Sequence, residues 1–205
     1  MQISRSYTPT FANLDLDAYI ENKLSDTNLH FLIKTYPKGT LTPSLSELKL
    51  GSQIDISNPL GTFSVDLLKH VQHIFLFAAG TGITPMFKLL QFINYICQKD
   101  RVKKKVTLLN FNKTLQDIIW REQLQTVKDN DFFQFDCTQV LSQDQDWNGY
   151  QGRINKELLE NFVPMEMEGK KLACICGPIP FTKEAYNLLN NTFNFSVDEI
   201  VKFEG

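Results

Sequence analysis

From Val71 onward the chain alternates short apolar runs with segments of helical spacing, and no other feature limits its possible folds as strongly. Strands are predicted at 73–79, 105–111, 132–140, 172–176 and 199–203, and helices at 85–98, 115–128, 155–163 and 181–192. Such alternation means βαβ units and a parallel sheet, here of five strands, covered by helices on both faces. In the 85–98 helix Met86, Leu89, Leu90, Ile93 and Ile96 fall at steps of three and four, so one face can pack on the sheet.

The first part of the chain has a different rhythm. Strands are predicted at 2–8, 29–36 and 53–57, separated by turn residues, and this reads as antiparallel β. Pro37-Lys38-Gly39 makes a turn, and a short helix over 43–50 is opened by Pro43 and closed by Gly51. The change of rhythm around 62–72 divides the chain into domains 1–66 and 67–205.

Composition removes several classes of function. With 42 % hydrophobic residues, 16 of all residues being Phe, the 205-residue chain can bury a sizeable core. A net charge of −2 provides no positive field for a polyanion, so nucleic acid is not an expected partner. Cys97, Cys137, Cys174 and Cys176 are too few and too irregular for a secreted disulfide framework, and a reducing compartment suits them better. The apolar run Ile74–Ala79 is far below the roughly 18 residues of a membrane helix, so no transmembrane segment is expected, and Met1–Tyr7 lacks the apolar stretch of a secretory signal.

Two strand-to-helix turns carry the chemistry. In Phe77-Ala78-Ala79-Gly80-Thr81-Gly82-Ile83-Thr84-Pro85 an apolar strand runs into two glycines with a proline where a helix starts. Bare backbone N–H groups in such a turn hold phosphates and nucleotides without side-chain charge. The second turn is Cys174-Ile175-Cys176-Gly177-Pro178-Ile179-Pro180. Ligands of a doubly wound sheet sit outside the carboxyl ends of its strands, which puts both turns on one edge. Cys-x-Cys lacks a second Cys or His pair at zinc spacing, so no metal is expected. Near the start, Arg5 offers a fork for phosphate and Tyr7 a ring for a planar cofactor. Lys34, a lone charge in an apolar strand, is ambiguous taken alone, and the basic run Arg101, Lys103, Lys104 and Lys105 reads as solvated.

Arg5-Ser6-Tyr7-Thr8, the loop Gly39-Thr40-Leu41-Thr42, Gly80-Thr81-Gly82-Ile83-Thr84-Pro85-Met86 and Cys176-Gly177-Pro178, in that order, resemble the NADH-cytochrome b5 reductases of the ferredoxin reductase superfamily. The wording of Tyr36–Pro43, Phe111–Thr114, Asp117–Arg121 and Trp147–Gly149 is similar to a branch whose reductase part follows a cytochrome b5 domain and a CS domain. The resemblance implies an α/β protein in which residues 1–66 are the C-terminal part of an antiparallel FAD-binding barrel and 67–205 an NAD(P)-binding domain. It also implies that roughly the first half of that barrel is absent from this chain.

The implied activity is hydride transfer from NADH or NADPH to FAD, followed by delivery of single electrons to a cytochrome b5 haem domain on the same polypeptide. Implied location is cytoplasmic, with association to the endoplasmic reticulum. Carried over by the resemblance, Arg5, Tyr7 and Thr8 hold the flavin and its diphosphate, Lys34 and Tyr36 its edge, and Gly39, Leu41 and Thr42 the diphosphate loop. Thr84 lies on the isoalloxazine side, and Gly80, Thr81, Gly82, Cys176, Gly177 and Pro178 line the nicotinamide site, with Thr81 and Cys176 the catalytic pair. Ser142 stands where a carboxylate rejects a 2′-phosphate in many relatives, and the diphosphate loop lacks their lysine. A second reading of the same residues is a nucleotide-binding or interaction module without flavin catalysis.

Overall fold

The computed structural model describes residues 4–10, 14, 28–61 and 63–203. Its first part contains the antiparallel pair β1 (Pro9–Thr10) and β2 (His30–Phe31), then the short helices α1 (Thr42–Ser46) and α2 (Asp66–Lys69). The second part is β3 (His73–Ala79), α3 (Ile83–Asp100), β4 (Lys104–Asn112), α4 (Arg121–Thr126), β5 (Phe133–Leu141), β6 (Tyr150–Gln151), α5 (Lys156–Leu159), β7 (Lys171–Cys176), α6 (Ile179–Asn191) and β8 (Ile200–Phe203). All six strands of this part pair in parallel in the order β6-β5-β4-β3-β7-β8.

After His73 the central strand β3 is apolar because both of its faces are covered. Ile74, Leu76 and Ala78 pack into one core with Met86, Leu90 and Ile93 of α3, Val106 and Leu108 of β4, and Leu124 of α4. Phe75 and Phe77 point the other way, into a core with Leu109, Ile175, Leu158, Leu159, Ala185, Leu189, Phe193 and Phe195. Helix α3 starts at Gly82 and carries Pro85 in its first turn, where a missing N–H costs nothing. It ends at Arg101, which turns left-handed at φ 53°.

Several expectations need correction. The parallel sheet has six strands rather than five, the additional one being the edge strand β6, only two residues long and set between Gly149 and Gly152, where no apolar run marks it. The helix expected at 115–128 is broken into the 3₁₀ turn Leu115–Asp117 and α4, because Trp120 adopts φ 54°, its ring 5.0 Å from that of Phe87. The helix expected at 155–163 is α over Lys156–Leu159 only, the Asn161 side chain donating to the Glu157 and Leu158 carbonyls at 2.8 and 3.2 Å and occupying acceptors that further helical turns would use. In the first part, the strand expected at 29–36 is confined to β2, 53–57 is not strand, and the helix at 43–50 ends at Ser46. Residues 4–8 are likewise not strand, while 2–3 lie outside the described residues. A strand needs a partner for its backbone, and among the described residues none lies beside 53–57, so Ile54 and Ile56 stay 53 % and 59 % exposed. Lys104 is not solvated: it opens β4 buried, its Nζ donating to the Val71 carbonyl at 2.6 Å.

Phe77 has no solvent exposure, and replacing it by Ala removes a full ring from the second core. Phe77→Ala is expected to lower stability by about 3–5 kcal/mol, whereas Ile54→Ala changes it by less than about 0.5 kcal/mol; urea titration of both variants measures the difference.

Candidate functional site

The carboxyl end of the sheet faces the first part of the chain across an open cavity of about 2200 Å³. One lip is made by the turns after β3 and β7. Gly80 sits at φ +56°, a left-handed conformation that glycine adopts freely. A Cβ on Gly82 would overlap the Cys176 carbonyl, and one on Gly177 would lie 2.8 Å from the Ala79 Cβ. The two turns therefore touch backbone to backbone, bringing Thr81 beside Cys176, Gly177 and Pro178 at the cavity. Thr84 donates its hydroxyl to the Thr81 carbonyl at 3.0 Å, which ties the turn to the first turn of α3. Burial pushes the Cys176 thiol up to about 11, so it is uncharged at neutral pH.

The opposite lip comes from the first part of the chain. Arg5, Tyr7 and Thr8 run into β1, and the Pro9 carbonyl accepts from Lys88 of α3 at 3.3 Å, holding this segment over the helix. Partial burial keeps the Lys88 ammonium below the usual lysine range. The loop of Tyr36, Gly39, Leu41 and Thr42 is drawn tight by the Gly39 N–H donating to the Tyr36 carbonyl at 2.7 Å. Thr42 Oγ1 accepts from the Tyr36 N–H at 3.0 Å, which leaves its hydroxyl hydrogen to donate elsewhere. A Cβ on Gly39 would lie 2.8 Å from that same oxygen.

All fifteen residues picked out from the sequence line this one cavity. Lys34, ambiguous on its own and placed at the flavin edge by the resemblance, donates to Asp117 Oδ1 at 2.7 Å across the two parts of the chain. That contact, with Thr114 also donating, holds the Asp117 carboxyl below its ordinary value. Asp117 lies far from Lys34 in sequence and carried no local signal. Asn112 is the second residue that sequence reasoning missed. It ends β4 at the cavity, 7 % exposed, with neither side-chain polar atom hydrogen-bonded. Just past β5, Ser142 donates its N–H to the Asn112 carbonyl at 3.0 Å and lines the same cavity.

The oxidoreductase NAD-binding domain family matches residues 76–186, and the oxidoreductase FAD-binding domain family matches 1–65. Over 205 residues the chain is 41 % identical to human cytochrome b5 reductase 4 and 43 % identical to its mouse counterpart. The human alignment covers 98 % of this chain, which spans only 38 % of that relative's length. Among solved structures, the CS-b5R domains of human Ncb5or in the NAD+ form superpose with TM-score 0.82 at 37 % identity, covering 100 % of this chain and 58 % of that one. The cytochrome b5 reductase domain of Ulva prolifera nitrate reductase shares the fold at TM-score 0.76 and 23 % identity, over 98 % of this chain and 79 % of that one.

Two outcomes test the geometry. Gly82→Ala forces backbone apart and is expected to cost about 1–3 kcal/mol in urea titration. Alkylation of Cys176 by iodoacetamide, followed by mass spectrometry, is expected to be slow at pH 7 and to accelerate until the pH passes about 11; a plateau near pH 8.5, the ordinary thiol value, would contradict the burial.

Proposed function

Because the chain belongs to the oxidoreductase NAD-binding domain family, we propose that it forms the flavin and nucleotide part of an NAD(P)H-dependent reductase that delivers electrons to a cytochrome b5 haem. The observation that carries this reading is the single cavity in which the Gly80–Gly82 turn and Cys176-Gly177-Pro178 face Arg5, Tyr7 and the Tyr36–Thr42 loop. In this reading residues 1–66 contribute part of an FAD-binding barrel and residues 67–205 the NAD(P)-binding domain. The match of two separate family descriptions to 1–65 and 76–186 supports that division.

The lining fits an FAD. Arg5 meets a phosphate with its planar fork, Tyr7 lays its ring along the flavin and Thr8 adds a hydroxyl. Gly39 and Leu41 hold the diphosphate loop while Thr42 donates its remaining hydroxyl hydrogen to a phosphate oxygen. Lys34 and Tyr36 border the flavin edge and Thr84 its ring face. Gly80, Thr81, Gly82, Cys176, Gly177 and Pro178 receive the nicotinamide, and their small size lets it approach the flavin closely. FAD, when bound, accepts a hydride and passes electrons on singly. The chain's residues orient the two rings and exclude water; none has to move a proton as a strong acid or base.

The haem domain is proposed to belong to the same polypeptide, in keeping with the greater length of the relatives. The proposed placement is cytoplasmic, with association to the endoplasmic reticulum. All four cysteines being free thiols supports a reducing compartment, and no helix among the described residues is long and apolar enough to cross a membrane.

The test is to load the purified protein with FAD, mix it anaerobically with NADH, and follow bleaching of the flavin absorbance and reduction of added ferric cytochrome b5. Bleaching and haem reduction are the expected outcomes; nucleotide binding without bleaching would favour the module without flavin catalysis. With Ser142 in place of a carboxylate, kcat/KM for NADPH is expected within about a hundredfold of that for NADH, roughly 2.7 kcal/mol.

A further inference from the structure

We propose that Asn112 is a binding residue for the adenosine-side ribose of the donor nucleotide, its amide donating to one hydroxyl of the sugar and accepting from the other. The proposal rests on the nucleotide-binding reading above and assigns it a residue that neither the motifs nor the turns single out.

The argument starts from the ladder. Within the β4–β5 pairing, Asn110 lies opposite Gln139 and donates its amide hydrogen to the Gln139 side chain at 2.9 Å. Two residues on, on the same face of the strand, Asn112 lies opposite Leu141, which offers its side chain nothing to bond. The main chain of Asn112 is nonetheless held, its carbonyl accepting from the Ser142 N–H at 3.0 Å. A fixed backbone thus carries a side chain at the cavity wall that is 7 % exposed and has both Nδ2 and Oδ1 unpartnered just beneath that wall, so a turn of the side chain is what presents them to a ligand. Buried amides in folded proteins are almost always paired, so this one is built for a group that enters the cavity.

Two unused atoms of opposite kind define that group. A diphosphate offers only acceptors and would satisfy Nδ2 alone, whereas a ribose diol both accepts and donates. Position selects the ribose. The nicotinamide must lie by Cys176 at the end of β7, and β4 stands on the other side of β3 from β7. Neighbouring strands are about 4.8 Å apart, so a dinucleotide whose nicotinamide rests between the Gly80–Gly82 turn and Cys176, and whose remainder extends along the sheet edge, reaches Asn112 with the far ribose. Dinucleotide folds commonly hold that diol with a carboxylate, which repels a 2′-phosphate; a neutral amide beside the exposed Lys113 does not.

Calorimetric titration of the protein with ADP-ribose, 2′-phospho-ADP-ribose, nicotinamide mononucleotide and inorganic pyrophosphate tests the assignment. Asn112→Ala is expected to weaken ADP-ribose at least tenfold and to leave nicotinamide mononucleotide and pyrophosphate within about twofold. Asn112→Asp should retain ADP-ribose within about fivefold and weaken the 2′-phosphate form at least tenfold further, a change of ratio that a purely structural role would not produce. Asn112→Leu, which removes the unpaired polar atoms, should melt no lower than the wild type without ligand and bind ADP-ribose as poorly as the Ala variant. The inference is overturned if Asn112→Ala binds ADP-ribose as the wild type does, if all four ligands weaken together, or if Asn112→Leu melts markedly lower. A wild-type protein that binds none of the four would overturn the nucleotide-binding reading itself, a result distinct from any of these.

Discussion

The backbone contact between the turn after β3 and the end of β7 is the constraint on which the rest of the site depends. Gly82 and the Cys176 carbonyl approach so closely that no side chain fits between them, and Gly177 is packed in the same way against Ala79 and Phe181. This closeness is possible because β3 and β7 are adjacent parallel strands in register, with Ala78 opposite Cys176. It forces the two segments to turn away at the same level, so α3 and α6 leave this edge for opposite faces of the sheet, and Thr84, Pro85, Pro180 and Phe181 of their first turns rim the cavity. The large cores on either face of β3 keep that geometry rigid. Loss of packing far below the cavity would thus reach the site through the strands rather than through any contact with a ligand.

Two polar contacts described between the two parts of the chain matter more by their placement than by their strength. Lys34 and Asp117 form a short ion pair, but with side-chain exposures of 37 % and 28 % it is partly screened and worth at most about 1 kcal/mol. The Lys88 contact to the Pro9 carbonyl is a single hydrogen bond at 3.3 Å. Neither could hold the halves together alone. What they do is fix direction: Asp117 draws Lys34 toward the nucleotide side of the cavity, and Lys88 sets the Tyr7–Thr8 segment above α3.

The central strands were legible in the sequence because two-sided burial writes an unbroken apolar run, as in Ile74-Phe75-Leu76-Phe77-Ala78. Residues around the cavity were legible for a related reason: Gly80 is favoured by its left-handed φ and Gly82 and Gly177 by close backbone approach, and glycines in strand-to-helix turns stand out locally. Edge strand β6 was not, since two exposed residues paired only through the ends of β5 leave no pattern. Trp120 hid a break in a helix because its left-handed conformation is stabilised by packing on Phe87, a contact between distant residues. Lys104 and Asn112 were missed for one reason in common: they are the two ends of β4, just outside the strand predicted at 105–111, and a polar side chain there shows its role only when its partners, or their absence, are seen in three dimensions. The residues were found; the roles assigned to them belong to the proposal.

Charge is distributed around the cavity in a way that suits transfer of electrons without acid–base catalysis. Arg5 stands at the lip formed by the first part of the chain, while Lys113 and Arg153 line the wall by the ends of β4 and β6, all three exposed. Along the two turns the lining is neutral: Thr81, Thr84, Gly177 and Pro178 carry no charge, and the Cys176 thiol stays protonated up to about 11. On the opposite lip Lys34 is matched by the Asp117 carboxylate. Anionic phosphates are thus attracted to the exposed cations, and the stretch along the two turns favours neither a localised positive nor a localised negative charge. A thiolate at Cys176 would reverse that balance by placing a fixed negative charge against electron-rich rings. An ordinary thiol is already protonated at neutral pH; burial extends that protonated range to about 11, so the turn stays uncharged even in mildly alkaline conditions.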